Sequence, residues 1–160
     1  MAWRTQKLLE RLKRVDDLPP VESTTRLGYW YGNILRIGHR QMLIFISERS
    51  RLPVIIPIRE AKRVPTAFPE AVCAMLAVVG VSVTDIAEER SRMLEMTFGR
   101  TMNRSLLGTM NDFGFMAKYV NAKRAEPESP KELMRFLAQT PILSLDGARP
   151  IDLTRALFKS

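Results

Sequence analysis

Between Tyr29 and Ile58 the sequence holds three strand-like runs with almost no chain between them, Tyr29 to Ile37, Arg40 to Ser47 and Pro53 to Ile58. Only Gly38-His39 separates the first two, and a two-residue loop that begins with Gly suits a type II′ hairpin turn. Glu48 to Arg51 turns the chain again, so the three runs predict an antiparallel meander. Its middle strand is continuously apolar from Met42 to Ile46 and must be covered on both faces. Pro53 and Pro57 lack ladder donors, which puts the third strand at an edge or ends it there.

The rest of the chain supplies the cover. Residues 68–79 predict an almost wholly apolar helix with Cys73 and Met75 inside it, ended by Gly80. Ser82 with Asp85 reads as a capping box that opens a second helix to about Met93. Leu94 to Phe98 is a further strand that would join the meander, and a helix follows from about Asn103 to Val120. Ser129, Pro130 and Glu132 cap a helix through Ala138, Pro141 stops it, Asp146-Gly147 turns the chain, and Pro150 opens a final helix. At the N-terminus a short strand through Trp3 leads into a helix to about Val15, broken by Asp16 to Pro20. These elements predict one α+β domain over residues 1–160, an antiparallel meander sheet of about three to five strands covered by helices. Only Ala125 to Ser129 reads as a short flexible connection.

Composition narrows the function classes. A hydrophobic share of 46% excludes intrinsic disorder. One cysteine cannot form an intramolecular disulfide, and no apolar run reaches the roughly 18 residues of a membrane helix, so a cytoplasmic protein with no membrane partner is expected. The formal net charge of +8 is uneven, since residues 1–65 carry +7, 66–98 carry −3 and 99–125 carry +4. The two helices joined by Gly80-Val81-Ser82 have the outline of a helix-turn-helix, but Asp85, Glu88 and Glu89 make its second helix acidic where phosphate contact needs positive charge.

Catalytic signals are sparse. His39 is the sole histidine and sits in the hairpin turn, Cys73 lies among apolar residues, and no metal-ligand spacing or phosphate-binding glycine loop occurs. No catalytic residue, metal or cofactor is therefore expected. An alternative reading uses Glu48, Glu60 and Lys62, because a carboxylate pair that holds Mg²⁺ beside a lysine is the pattern of a phosphodiester-cleaving enzyme.

Binding signals are richer. Tyr29, Trp30 and Tyr31 stand beside Arg26 and Arg36, and aromatic faces interleaved with Arg stack single-stranded bases. Alternation sends Trp30 to the opposite side from the two tyrosines, which leaves at most a two-tyrosine platform. In the Asn103 to Asp112 segment, Asn103 and Asn111 share one helical line, and Arg104 and Asp112 a neighbouring one. That segment either reads a ligand or pins its helix to the Thr24 to Gly28 loop as a polar network. Gly108 in mid-helix implies that something approaches the backbone there. Arg4, Lys7, Arg11, Arg14, Arg36 and Arg40 form the expected basic surface, and Met110 and Met116 are read as exposed residues of a partner surface.

Three stretches, Thr24 to Asn33 (TTRLGYWYGN), Asn103 to Asp112 (NRSLLGTMND) and Thr140 to Ile151 with its TPILSL and RPI pieces, together resemble a bacterial family of small domains of unknown function. The resemblance spans nearly the whole chain and implies a single α+β domain from a bacterium or its mobile elements, without implying a reaction or ligand. The positions that match its motifs are Arg26, Trp30, Asn33, Asn103, Arg104, Ser105, Asn111 and Asp112. Charge and motifs together predict a non-enzymatic binding or regulatory module for nucleic acid or an acidic protein partner, antitoxin-like or accessory to a mobile element, with a homodimer compatible with its size.

Overall fold

The computed structural model describes residues 2–4, 23–93, 98–100, 104–123 and 129–159. Five strands form one sheet in the order β4-β3-β2-β1-β5, with β1 Ala2–Arg4, β2 Trp30–Ile37, β3 Arg40–Ser47, β4 Pro53–Pro57 and β5 Phe98–Arg100. The β2–β4 meander is antiparallel, with Trp30 opposite Ser47 and Ile46 opposite Pro53. Gly38 takes φ +60 and the following His39 does not share the positive φ, as a type II′ turn requires. β4 is an edge strand, and both of its prolines lie on it.

The other side of the sheet departs from a pure meander. β1 pairs in parallel with β2, and β5 in parallel with β1, so the strand after the second helix does not extend the β4 edge. The proline-bearing edge lacks two ladder donors, which leaves the β2 side for growth. That last strand starts at Phe98, where the expected Leu94 to Phe98 run ended, and residues 94–97 lie outside the described residues.

Among the described residues there are five α-helices: α1 Val64–Val79, α2 Val83–Arg92, α3 Arg104–Ala122, α4 Pro130–Ala138 and α5 Pro150–Phe158. α1 begins four residues earlier than its apolar run suggests, with Pro65 in its first turn and Pro69 inside it. The first turn has no intrahelical donor to lose, so Pro65 is free of cost there, while Pro69 forgoes one bond. Gly80 ends α1 in the left-handed region, its N–H donating to the carbonyls of Leu76 and Ala77 at 3.1 Å. Ser82 and Ser129 cap α2 and α4, accepting from the N–H groups of Asp85 (3.1 Å) and Glu132 (3.2 Å).

Helices cover both faces of the meander. Phe68 of α1 packs edge-on against Trp30 (5.1 Å between centroids) and Phe45 (5.0 Å), which share one face by register. On the other face, Leu35 meets α3 at Gly114, where an added Cβ would lie 3.2 Å from Leu35 Cδ1. A buried hydroxyl chain ties α5 to the β3–β4 turn: Thr154 Oγ1 is 2.9 Å from Ser50 Oγ, and Ser50 Oγ is 2.8 Å from Ser47 Oγ. Lys7, Arg11, Arg14 and the helix expected through Val15 lie outside the described residues, as do Asn103 and most of the Ala125 to Ser129 connection.

Candidate functional site

The Thr24 to Gly28 loop is built from the inside. Thr25 is buried and its hydroxyl donates to the Gly28 carbonyl at 2.8 Å. Glu89 of α2 is buried too, and its carboxylate accepts the backbone N–H groups of Arg26 (3.0 Å) and Leu27 (3.2 Å). Gly28 has φ +79, which favours glycine, and a Cβ there would come within 2.7 Å of Glu48 Oε2, so a substitution would also push that carboxylate aside. That Glu48 oxygen accepts the Tyr29 N–H at 3.2 Å. Arg26 points at Asp85 (3.6 Å) and Glu88 (3.9 Å), with its guanidinium 5.3 Å above the Phe158 ring.

Trp30 is fully buried and Tyr31 nearly so, which removes both from any stacking platform. The reason is topological: helices lie on both faces, so at the start of β2 alternation exposes neither side chain. Burial, then the nearby Glu48 carboxylate, push the Tyr31 hydroxyl above the ordinary tyrosine range. Asn33 is half-buried, and its side-chain oxygen accepts the Ile34 N–H at 2.9 Å.

In the Asn/Arg motif, Arg104, Ser105, Asn111 and Asp112 are exposed on α3, whereas Met110 is buried, opposite to the expected partner surface. The inward seam runs through Leu106, Met110, Phe113 and Ala117, which sets Met110 against the sheet. The motif is linked to the β3–β4 turn by Arg51. Its guanidinium donates to the Glu48 carbonyl (2.7 Å) and to Ser105 Oγ (3.3 Å). Arg51 holds φ +60, and burial pushes its guanidinium below the usual arginine range. Asp112 lines a cavity of about 300 Å³ between α3 and the Thr140 to Leu143 segment, together with Phe113, Phe115 and Met116.

Glu48 and Glu60 are not brought together. Glu48 precedes β4 and Glu60 follows it, on the order of 15 Å of strand apart, so this pair assembles no joint metal site. Glu60 lies 3.8 Å from Arg63, and Lys62 is exposed beside it. Among the described residues no group of three or more His, Cys, Asp or Glu is placed to hold a metal ion, and no helix is long and apolar enough to cross a membrane. Burial pushes the Cys73 thiol up, away from thiolate character.

A group of basic side chains lies at the β2–β3 hairpin end. His39, Arg40 and Arg59 line a cavity of about 330 Å³ whose apolar walls come from Met42, Pro57 and Ile58. Pro130 lines it too, and Lys131 is the next residue of α4. Arg40 Nη2 donates to Asn121 near the end of α3 at 3.3 Å. Arg36 lies on the same hairpin, where the Gln41 amide oxygen, turned toward it, accepts from Nε (3.0 Å) and Nη2 (2.7 Å). The sequence marked Arg36 and Arg40 here but missed Arg59 and Lys131, because a fold is needed to bring the end of β4 and the start of α4 to the hairpin.

The profile of the family described as Domain of unknown function (DUF6933) matches residues 4–153. The chain belongs to the DUF6933 family. The match runs from β1 into α5, so the hairpin cavity, the Glu89 loop and the α3 motif all fall inside DUF6933. No curated protein and no solved structure matches the chain.

Proposed function

We propose that this DUF6933 domain is a non-enzymatic module that binds single-stranded nucleic acid at the β2–β3 hairpin end, as a regulatory protein of a bacterial cytoplasm. The observation that carries this reading is the hairpin cavity, an apolar pocket with His39, Arg40 and Arg59 around it. Apolar walls suit the faces of an unstacked base, and a cationic rim suits the phosphates on either side of it. Arg36, Lys62 and Lys131 extend the positive field around the cavity, against Glu60 and Glu132. The acidic α2 lies at the other end of β2, where Glu89 holds the Arg26–Leu27 backbone, so a phosphate backbone laid on the hairpin end avoids it.

Charge reversal tests this assignment. Arg59→Glu and Arg40→Glu are expected to abolish binding of a labelled oligonucleotide at low salt, while Arg90→Glu on α2 leaves it within about twofold. Equal loss in all three variants would show only a response to net charge and would overturn the assignment. Failure of every oligonucleotide, with retention of a polyglutamate probe, would favour an acidic protein partner instead.

A further inference from the structure

We propose that the hairpin cavity is selective for guanine and that Arg59 is the residue that reads the base. The inference rests on the nucleic-acid reading of that cavity and adds the identity of the base. The polar lining is one-sided. His39, Arg40, Gln41 and Arg59 are its polar side chains, and no carboxylate lines the cavity. The neighbouring Glu60 is turned to Arg63 at 3.8 Å. Two Arg36 donors point at the Gln41 oxygen (3.0 and 2.7 Å), so the Gln41 amide has N–H groups left to give and no acceptor. Only the ring of His39 can also accept.

A donor-lined cavity suits a base that carries acceptors side by side. Guanine offers O6 with N7 and cytosine O2 with N3, whereas adenine and thymine alternate their acceptors with N–H groups. Guanine adds a two-ring face for the apolar walls of Met42, Pro57 and Ile58. A guanidinium fork meets O6 and N7 with two parallel N–H bonds. Arg40 is held by Asn121 at 3.3 Å. The Arg59 guanidinium is exposed and makes no hydrogen bond or ion pair among the described residues, so its fork is free to turn onto the base. Bound there, its charge still lies within a Debye length of the flanking phosphates and counts toward their neutralisation.

Fluorescence anisotropy reads the preference on short labelled strands of adenine that carry one central guanine, 7-deazaguanine or cytosine. The guanine strand is expected to bind the native chain roughly tenfold more tightly than the all-adenine strand, a gain that 7-deazaguanine loses because it lacks the N7 acceptor. Arg59→Lys keeps the charge without the fork, so it is expected to hold the all-adenine strand within about twofold of the native chain while the guanine preference disappears. A guanine strand no better than the all-adenine one, a cytosine strand bound as well as guanine, or a preference that survives Arg59→Lys would overturn the proposal and leave nucleic-acid binding at the hairpin end standing. Absence of binding by every strand at low salt would overturn both.

Discussion

Glu89 and Leu27 stand 62 positions apart in the chain, and the Glu89 carboxylate accepts the Leu27 backbone N–H at 3.2 Å while its second oxygen takes that of Arg26 at 3.0 Å. A carboxylate that is 1% exposed and bonded to two main-chain donors fixes the entry into β2 from α2. Glu89→Ala leaves two donors without their acceptor and is expected to cost about 3 kcal/mol in urea unfolding. Glu89→Gln keeps one acceptor oxygen and is expected to cost less than half of that.

Thr154 ties the last helix to the sheet. Its hydroxyl lies 2.8 Å from the Pro150 carbonyl and 2.9 Å from Ser50 Oγ, with no exposure to solvent. Thr154→Val preserves the shape and removes the hydroxyl, so a loss of about 1–2 kcal/mol is expected in the same unfolding assay. A neutral result would mean that the Ser47–Ser50–Thr154 chain adds nothing to the attachment of α5.

The two glycines of α3 separate helix propensity from packing. Gly108→Ala meets open space and is expected to stabilise the monomer by about 1 kcal/mol, the ordinary difference between the residues in a helix. Gly114→Ala must move Leu35 Cδ1 away from 3.2 Å, so its gain is expected to be smaller than that of Gly108→Ala. Thermal melts at high dilution compare the two directly.

Tyr31 gives the fold an alkaline limit. Burial raises its pKa above the unfolded value, so the native state holds the proton more tightly than the unfolded chain does. Stability from this group is complete below the unfolded pKa of about 10 and is lost as pH rises through the higher folded value. Tyr31→Phe is expected to flatten the fall in stability above about pH 10. An unchanged pH profile would show that Tyr31 ionises freely in the folded protein.

Local chemistry made much of this fold readable. The Gly38-His39 turn, the Ser82 and Ser129 caps and the prolines of β4 act over a few residues, and each element they delimit lies where they put it. β1 and β5 were harder, because three residues carry no periodicity and parallel pairing leaves no turn signal between partners. Glu89 reads as solvated acid on an acidic helix, since its partners are backbone donors that no side-chain pattern announces. The two-tyrosine platform expected of Tyr29 and Tyr31 loses Tyr31 to burial, because the cover on both sides of β2 depends on α1 and α3 together. In the site itself, Arg40 was visible at the turn, whereas Arg59 arrives from another strand end.

Nucleic-acid binding at the hairpin end is tested most directly by the salt dependence of oligonucleotide affinity for the native chain and for Arg59→Ala. Single-strand contact through three or four cations predicts a log–log slope of about −2 to −3, reduced in magnitude by roughly 0.7 in Arg59→Ala. No binding at low salt, or a native slope that Arg59→Ala leaves unchanged, would contradict the account.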